Sequence, residues 1–478
     1  MTVKRRAFAE RREIVGHSQE ALAETVGVKP TTVGRWERGE TWPQPWCRPK
    51  LADALAVSVE ELEAMLTEGQ PVEDGRSHSS ERRDDGEPLP AEAAEELPID
   101  LEHDPVLTPP WNHRGTVEAA VALRGGDERV KRRVFVCLSG PALTAPAHQW
   151  LVREPGPLVS GLSGRRVSAG LVDRFLAMLP ELRKMEDLAG GGSVLALARH
   201  EFGWVAGLLD QASYDERTGR ALHVVLAELG QFCGWSACDA GDRGLAQRFY
   251  IAALRAAHSA GDRPLGAYIL TCMASQAARH DGRPADAVTL IETALAGTRG
   301  RQTPALLAQL HMRHAYAFVS LRDTSACAAA ISQARTQVEQ LTPDDEPPWL
   351  YWVDPAQIMG NAGVCLLRLG QPDHAVTMLT DGIAQLDESF LRDRQFYLTH
   401  LASAHTRPGK QRDLHIAAGL GMESIDLAEG LDSATGPGLR DLYHELKPHA
   451  KVPAVRDFLE RARGLATDQS PSVTAVTS

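Results

Sequence analysis

The chain has 478 residues, of which 63 are acidic and 51 are Lys or Arg, so its formal net charge is −12. This length allows more than one domain, and 7 cysteines, an odd number, argue against a disulfide framework. No apolar run approaches the roughly 20 residues that a membrane-spanning helix needs, so we expect a cytoplasmic protein that makes no membrane contact.

The stretch from Ser18 to Gly39 predicts two short helices joined by a tight turn. Ser18 suits the N-cap of the first helix, and Pro30 suits the first position of the second. Gly27 lies in the turn, where glycine supplies a positive φ without steric cost. The apolar residues of the stretch recur at helical spacing and are expected to face inward: Leu22, Ala23, Val26, Val33 and Trp36.

This pattern of Ser-Gln, Leu-Ala, Gly-Val, Trp-Glu and Gly resembles the helix-turn-helix of the phage-repressor-like (Xre or Cro type) regulators. The resemblance extends over residues 1–70, because Arg48 to Leu62 is similar to the two closing helices of the family's five-helix domain. It implies binding to double-stranded DNA, with the second helix of the motif in the major groove. An excess of Lys and Arg in residues 1–50 fits a phosphate-binding face, although the whole chain is acidic.

The resemblance assigns the DNA contacts to Gln19, Lys29, Thr31, Thr32, Arg35 and Arg38. Arg35 is expected to read a base, because its guanidinium fork can pair with O6 and N7 of guanine. Gln19 is expected to contact a phosphate, as are Lys29 and Arg38, whereas a threonine can bind a phosphate or touch a thymine methyl group.

Three further positions of the motif concern its construction. Relatives carry an Arg and a Glu at the places of Arg12 and Glu37, where the two form an internal ion pair, so these residues are expected to be structural. Gly34 departs from the family, since many relatives have a polar base reader there. Base specificity is therefore expected to depend strongly on Arg35.

Residues 71–115 are rich in Pro, Gly, Ser and acidic residues and poor in apolar ones, which predicts an acidic disordered linker. Residues 465–478 are polar and are expected to form a disordered tail. Residues 116–464 lie between these two segments. They read as Ala- and Leu-rich helices interrupted by Gly, Asp and Pro.

A self-similar unit recurs about every 40 residues within this helical region. Its turns are predicted at Gly241, Gly282, Arg322, Gly370 and Gly409. The fifth residue after the turn is small in most units, as a close helix crossing requires: Ala246, Ala287, Cys327, Ala375 and Leu414. The pattern resembles tetratricopeptide repeats. We therefore predict an all-α chain, with a five-helix repressor-type domain, a disordered linker and a tetratricopeptide-like α-solenoid.

A repressor-type head on such a body resembles the peptide-sensing quorum regulators of Gram-positive bacteria and the repeat-containing regulators of actinobacteria. The Arg-heavy, Ala-rich composition is closer to the second group, including streptomycete regulators. The asparagine clamp of the first group is nearly absent, because the chain has only Asn112 and Asn361. Seven residues are candidates for a different ligand-binding inner face, with ordinary surface or core roles equally open: Gln276, Arg279, His311, His314, Asn361, Tyr397 and His400.

The sequence offers no catalytic signature such as GxxxxGK[ST], GxSxG or HExxH. His311 and His314 come nearest to a metal-binding spacing but lack a nearby acidic or Cys ligand. We expect no enzyme activity, cofactor or metal. The leading hypothesis is a sequence-specific transcriptional regulator whose repeats mediate homodimerisation and sense a peptide, small molecule or protein. The alternative is a repeat scaffold that recruits a partner protein and uses the DNA-binding head as a tether.

Overall fold

A computed structural model describes residues 5–66 with short gaps, 104–124, 137–156, 164–189, 191–429 and 436–467. The chain divides into two compact units, Met1–Ala94 and Glu95–Ser478, which we call the head and the body. The expectation of an all-α chain is confirmed: the described residues form no β-strand, and the single bridge joins Arg166 to Ser213.

The head begins with four short helices, α1 (Arg6–Ile14), α2 (Gln19–Val26), α3 (Pro30–Glu37) and α4 (Arg48–Ala54). Ser18 Oγ accepts a hydrogen bond from the Ala21 amide at 3.1 Å, so it caps α2 as predicted. The predicted inward residues all have 2 % exposure or less. The fifth helix expected for this domain and the turn glycine Gly27 fall at least partly outside the described residues, although Leu62 and Leu66 belong to the same core.

The body is a longer series of helices, and the following ranges give them in chain order. They are α5 (His113–Arg124), α6 (Pro141–Val152), α7 (Ala169–Ala189), α8 (Gly191–Gln211), α9 (Glu216–Asp239), α10 (Arg243–Ala260), α11 (Arg263–Arg279), α12 (Pro284–Gly297), α13 (Pro304–Ser320), α14 (Thr324–Val338), α15 (Pro355–Arg368), α16 (Pro372–Gln385), α17 (Leu391–Thr406), α18 (Leu414–Ala428), α19 (Gly436–Leu446) and α20 (Pro453–Thr467). From α9 to α18 they pack as five successive antiparallel hairpins.

The predicted turns connect the two helices of these hairpins. Gly241, Gly282, Arg322 and Gly370 all have a left-handed φ, between 59° and 87°, and each lies two residues before the second helix begins. Arg322 is the one non-glycine residue with positive φ in the described chain. Gly409, the fifth predicted turn residue, does not share this conformation. The small residues that follow the first four turns are fully buried: Ala246, Ala287, Cys327 and Ala375.

Several body helices begin on a side-chain cap. The carboxylates of Asp242, Asp262, Asp323 and Asp354 each accept a hydrogen bond from the amide three residues along the chain, at 2.7–3.2 Å. Each cap satisfies one of the amides that a helix N-terminus leaves without a partner. The Asp residues near these turns therefore fix where these four helices start.

The predicted linker 71–115 is wrong in its last twelve residues. A segment comprising residues 104–112, which we call the strap, packs against α10. Asp104 is 2 % exposed, and its carboxylate pairs with Arg248 at 3.2 Å. Arg255 donates to the carbonyl of Leu107 at 2.7 Å. The strap therefore supplies one carboxylate and two backbone carbonyls as partners to arginines buried on α10.

Two other predicted boundaries can be compared with the helices. Helix α20 continues to Thr467, which is three residues into the predicted tail 465–478. Its apolar residues Val455, Phe458 and Ala462 lie at helical spacing and are buried, so the helix is held by packing beyond the point at which the sequence becomes polar. The predictions for residues 71–103 and 468–478 concern segments outside the described residues.

Close helix crossings in the hairpins depend on glycine, and a pair of substitutions tests this. A Cβ at Gly382 in α16 would lie 2.8 Å from the backbone nitrogen of Gly360, whereas a Cβ at Gly419 in α18 would have no neighbour within 4 Å. We expect Gly382→Ala to destabilise the body by about 1–3 kcal/mol through overpacking. Gly419→Ala should stabilise it by roughly 0.5–1 kcal/mol through helix propensity.

Thermal unfolding followed by circular dichroism measures both variants against the parent. A lower midpoint for Gly382→Ala and an unchanged or higher midpoint for Gly419→Ala are the expected results. Equal midpoints for the two variants would contradict the close crossing.

Candidate nucleic-acid interface and inner cavity

Helix α3 separates its residues cleanly between the core and solvent. Val33 and Trp36 lie at 0 % and 2 % exposure in the head core, which orients the opposite side of the helix outward. The predicted readers Thr31 and Arg35 are exposed on that outer side, and Thr32 is half-buried. Among the other predicted contacts, Arg38 is also exposed, and Lys29 lies outside the described residues. The outer side of α3 can therefore approach a base edge.

An ion pair holds α1 to the end of α3. Arg12 Nε donates to Glu37 Oε1 at 2.6 Å, and Arg12 is 8 % exposed. Its Nη1 also donates to the carbonyl of His17 at 2.8 Å. The pair implied by the family resemblance is thus present, and it fixes the angle at which α3 leaves the core.

Gln19 takes part in the same network. Its Nε2 donates to Glu37 Oε2 at 2.5 Å, so one of the two amide N–H groups has an internal partner. The second N–H group remains the donor that a phosphate could use. Gln19 was predicted only as a phosphate contact, and the structure adds a role in orienting the carboxylate of Glu37.

The missing side chain at Gly34 makes room for two neighbours. A Cβ at this position would lie 3.2 Å from Nη1 of Arg38 and 3.3 Å from Oε1 of Gln19. Both polar side chains therefore approach the α3 backbone at Gly34. Gly34 has no side chain of its own, so the polar groups at this point of the helix come from Gln19 and Arg38.

Not all basic residues of the head belong to a phosphate-binding face. Arg5 is 4 % exposed and donates to the carbonyls of Leu66 and Trp36 at 2.8 and 3.0 Å. Arg11 donates to the carbonyl of Leu55 at 2.8 Å. The excess of Lys and Arg seen in the sequence therefore overstates the charge that faces DNA, because Arg5 and Arg12 are buried connectors.

Comparison with known proteins agrees with this geometry. Residues 8–62 match the helix-turn-helix family model. The head is a helix-turn-helix domain. Such a domain supports a DNA-binding transcriptional regulator. No curated protein and no solved structure is similar enough to the chain to count as a relative.

The body contains a cavity of about 590 Å³. The first helix of each hairpin, from α9 to α17, contributes to its wall, together with α7, α19 and residues 349–352. Nine aromatic side chains and several arginines and acids line it. The first helices of five successive hairpins therefore each turn one side toward a common interior space.

Five of the seven predicted ligand candidates lie on this wall: Gln276, Arg279, Asn361, Tyr397 and His400. The other two, His311 and His314, are not among the lining residues. His314 stacks on Phe318 with ring centres 4.2 Å apart. Burial lowers the pKa of both histidines, so each is neutral near pH 7.

Asn361 and Tyr397 are joined in one buried hydrogen-bond network. Asn361 accepts from the Tyr316 hydroxyl at 2.8 Å, and its amide donates to the Tyr397 hydroxyl at 2.7 Å and to the Gln357 carbonyl at 2.7 Å. Both N–H groups of Asn361 thus have internal partners. Asn361 therefore fixes two tyrosine rings.

Two further candidates are held by the protein itself. Burial lowers the pKa of His400 to about 3, and its Nδ1 lies 2.9 Å from the Phe396 carbonyl, which makes Nδ1 the protonated nitrogen. Gln276 donates to the Arg243 carbonyl at 2.9 Å, while its Oε1 is buried without a hydrogen-bond partner. His400 therefore presents no positive charge to the cavity.

The cavity wall contains a regular set of polar residues, of which the sequence analysis named only Asn361. Polar side chains four residues apart recur on the first helices of successive hairpins: Gln309 and Arg313, Gln357 and Asn361, Gln395 and Thr399. Residues four apart share one side of a helix, and all six are buried. Polar pairs within otherwise apolar helices were the signal that could have found them.

One side of the cavity is closed by ion pairs between distant helices. Arg392 on α17 pairs with Glu186 on α7, and Tyr351 donates to Asp187. Burial, opposed by Arg392, raises the pKa of Glu186 to about 7. These contacts join α7 to residues more than 150 positions further along the chain. This wall of the cavity therefore exists only in the folded body.

In the described part of the chain, no helix has the length and apolar character needed to cross a bilayer. Within the same residues, no group of three or more His, Cys, Asp or Glu side chains is arranged to hold a metal ion.

The Arg12–Glu37 pair can be tested against a second carboxylate on the same guanidinium. Glu13 also contacts Arg12, at 3.3 Å, but its side chain is 70 % exposed, whereas that of Glu37 is 12 % exposed. We expect Glu37→Ala to destabilise the head by about 3 kcal/mol, because it leaves a buried charge unpaired. Glu13→Ala should cost less than about 1 kcal/mol.

Amide hydrogen exchange within α1 and α3 of the full-length protein reports the opening free energy of the head in each variant. Exchange in α9–α18 provides an internal reference. A similar, small effect of both substitutions would show that the buried pair does not hold α3 in place.

Proposed function

We propose that this protein is a sequence-specific transcriptional regulator that binds double-stranded DNA as a homodimer and responds to a ligand held in the body. The observation that carries the DNA-binding part is the exposed outer side of α3, with Thr31, Arg35 and Arg38, in a domain that matches the helix-turn-helix family. Binding chromosomal DNA would place the protein in the cytoplasm. We propose no enzymatic reaction for it.

Homodimerisation is supported by the small reading surface of one head. Thr31, Thr32 and Arg35 are the side chains of α3 that are placed to reach base edges, and specific sites usually need contacts over a larger area. The body offers exposed apolar side chains for self-association. Leu197 and Trp204 are 42 % and 47 % exposed and lie seven residues apart, on one side of α8.

Ligand sensing is supported by the cavity and by the likeness of the hairpins to tetratricopeptide repeats. Four turns with left-handed residues, each followed by a buried small residue, fit that repeat type. A volume of about 590 Å³ is in the range of small-molecule sites. The arginine-rich, alanine-rich composition is in keeping with an actinobacterial origin.

The base-reading role of Arg35 gives a direct test. Arg35→Ala should weaken binding to the preferred duplex by about 1–3 kcal/mol and leave nonspecific binding nearly unchanged, because a bidentate contact to guanine is lost. The preferred duplex is first selected from a random pool with the full-length protein. Fluorescence anisotropy titrations against this duplex and a scrambled one then measure both affinities at several salt concentrations.

Two matched substitutions distinguish base reading from phosphate binding. Arg38→Ala should weaken binding to both duplexes and reduce the salt slope by about one, since it removes a charged phosphate contact. Gln19→Ala should weaken both with an unchanged slope, because the amide is uncharged. If Arg35→Ala instead lowers both affinities equally, Arg35 is a phosphate anchor.

The oligomeric state is a separate prediction. Light scattering should give twice the chain mass of 51.9 kDa at micromolar concentration. Replacing Leu197 and Trp204 together by Ser should yield monomers, because the exposed apolar side of α8 is removed. The control is Ile416→Ser on α18, which is 47 % exposed and should leave the dimer intact. A monomeric parent protein would overturn the proposal.

A further inference from the structure

We propose that the inner cavity binds a small molecule with one anionic group on a flat apolar body, and that Arg279, Arg313 and Arg368 hold the anion. This inference rests on the proposed ligand-sensing function and names the chemistry of the ligand. It starts from the unequal pairing of the arginines that line the cavity.

Six arginines line the cavity: Arg183, Arg243, Arg279, Arg313, Arg368 and Arg392. Three have carboxylate partners, since Arg183 pairs with Glu228, Arg243 lies 3.9 Å from Asp281, and Arg392 pairs with Glu186. Within the described chain, the other three have no carboxylate within 4.0 Å. Half of the arginines that line the cavity therefore form ion pairs with carboxylates, and the other half do not.

Arg313 is the most informative of the three. It is only 6 % exposed, and its Nε and Nη1 have no hydrogen-bond partner. A buried guanidinium without acceptors is costly, and such groups in native proteins call for a specific explanation. An anion inside the cavity would supply both the missing acceptors and the missing charge. The unpaired N–H groups of Arg313 thus point to a ligand.

The three guanidinium groups converge on one ring. Their central carbons lie 5.1, 5.8 and 5.9 Å from the centre of Tyr316, for Arg279, Arg313 and Arg368 respectively. No two of them can be more than about 12 Å apart. The Tyr316 ring is fixed through its hydrogen bond to Asn361. Planar guanidinium forks suit a carboxylate or phosphate group.

Aromatic side chains beside the arginines would accommodate the apolar part of the ligand. Trp352 lies 6.0 Å from the Arg313 guanidinium, and Phe396 lies 5.0 Å from that of Arg279. Trp349 stacks on Tyr268 with ring centres 4.8 Å apart. All of these except the fixed Tyr316 belong to the cavity wall. Flat apolar surfaces next to an anion site select an amphipathic acid over a simple inorganic ion.

Four of the five acidic residues that line the cavity lie near Arg392. Glu186, Asp187 and Asp239 surround Arg392, and Asp393 accepts a hydrogen bond from Gln357 at 2.6 Å. The fifth, Asp441, interacts electrostatically with Arg368 but forms no ion pair with it within 4.0 Å. Most acids of the cavity therefore lie near Arg392, whereas the three arginines without an ion pair lie around Tyr316.

Three probes with one ring system test the proposal on the full-length protein. They are 2-naphthoate, 2-naphthyl phosphate and the neutral 2-naphthamide, each titrated by isothermal calorimetry. We expect at least one of the two anions to bind ten-fold or more tightly than the amide, and the tighter anion identifies the ligand as a carboxylate or a phosphate. No preference for either anion over the amide would overturn the proposal.

Substitutions then locate the anion. Arg313→Met should lower the affinity for the preferred anion at least ten-fold and abolish the preference over the amide. Arg368→Met, at an exposed position, should lower it several-fold with an unchanged thermal midpoint, which keeps the test valid if Arg313→Met folds poorly. The matched control is Arg243→Met, which removes an ion-paired cavity arginine and should change the affinity less than two-fold. An equal loss in Arg243→Met and Arg368→Met would show a general charge effect and overturn the site.

A DNA titration separates this site from the proposed sensing function. Affinity for the selected duplex is measured with and without a saturating concentration of the preferred anion. A change in the parent protein that disappears in Arg368→Met supports both the site and sensing. Anion binding with unchanged DNA affinity supports the site and overturns sensing, whereas normal DNA binding without anion preference overturns the site alone.

Discussion

A guanidinium group taken out of water needs acceptor atoms and an opposite charge, and this requirement shapes both units of the protein. In the head, Arg12 meets it with Glu37 and so connects α1 to the recognition helix. In the body, Arg248 meets it with Asp104 and so draws the strap onto α10. Leaving either charge unpaired would cost several kcal/mol, so each arginine dictates the position of a distant segment.

In the cavity, the arginines around Tyr316 do not meet this requirement. Arg313 is buried to nearly the same extent as Arg12 and has no acceptor for two of its nitrogens. Proteins that satisfy their polar groups almost everywhere tend to violate the rule at functional sites. In the head, by contrast, Arg12 and Glu37 orient α3 by pairing with each other. The proposed DNA-binding and ligand-binding sites would therefore be prepared in different ways.

Local signals in the sequence predicted much of this architecture. Ser18 and Pro30 define the starts of α2 and α3, and Gly241 and its equivalents mark the hairpin turns, because caps and left-handed turns depend on nearby residues. The strap was misread, since its partners Arg248 and Arg255 lie far along the chain and composition carries no information about them. Arg313 was passed over for the same reason: its sequence neighbours His311 and His314 drew attention, whereas its missing partner is a property of the folded cavity.

The strap also constrains the order in which the protein can be completed during translation. Asp104 precedes Arg248 by 144 residues, so at elongation rates of about 5–20 residues per second it leaves the ribosome roughly 7 to 29 s before its partner. Over that interval the strap has no surface on which to dock, and α10 cannot be covered until the strap returns to it. The N-terminal edge of the body is thus synthesised first but can take its final position only after α10 has been made.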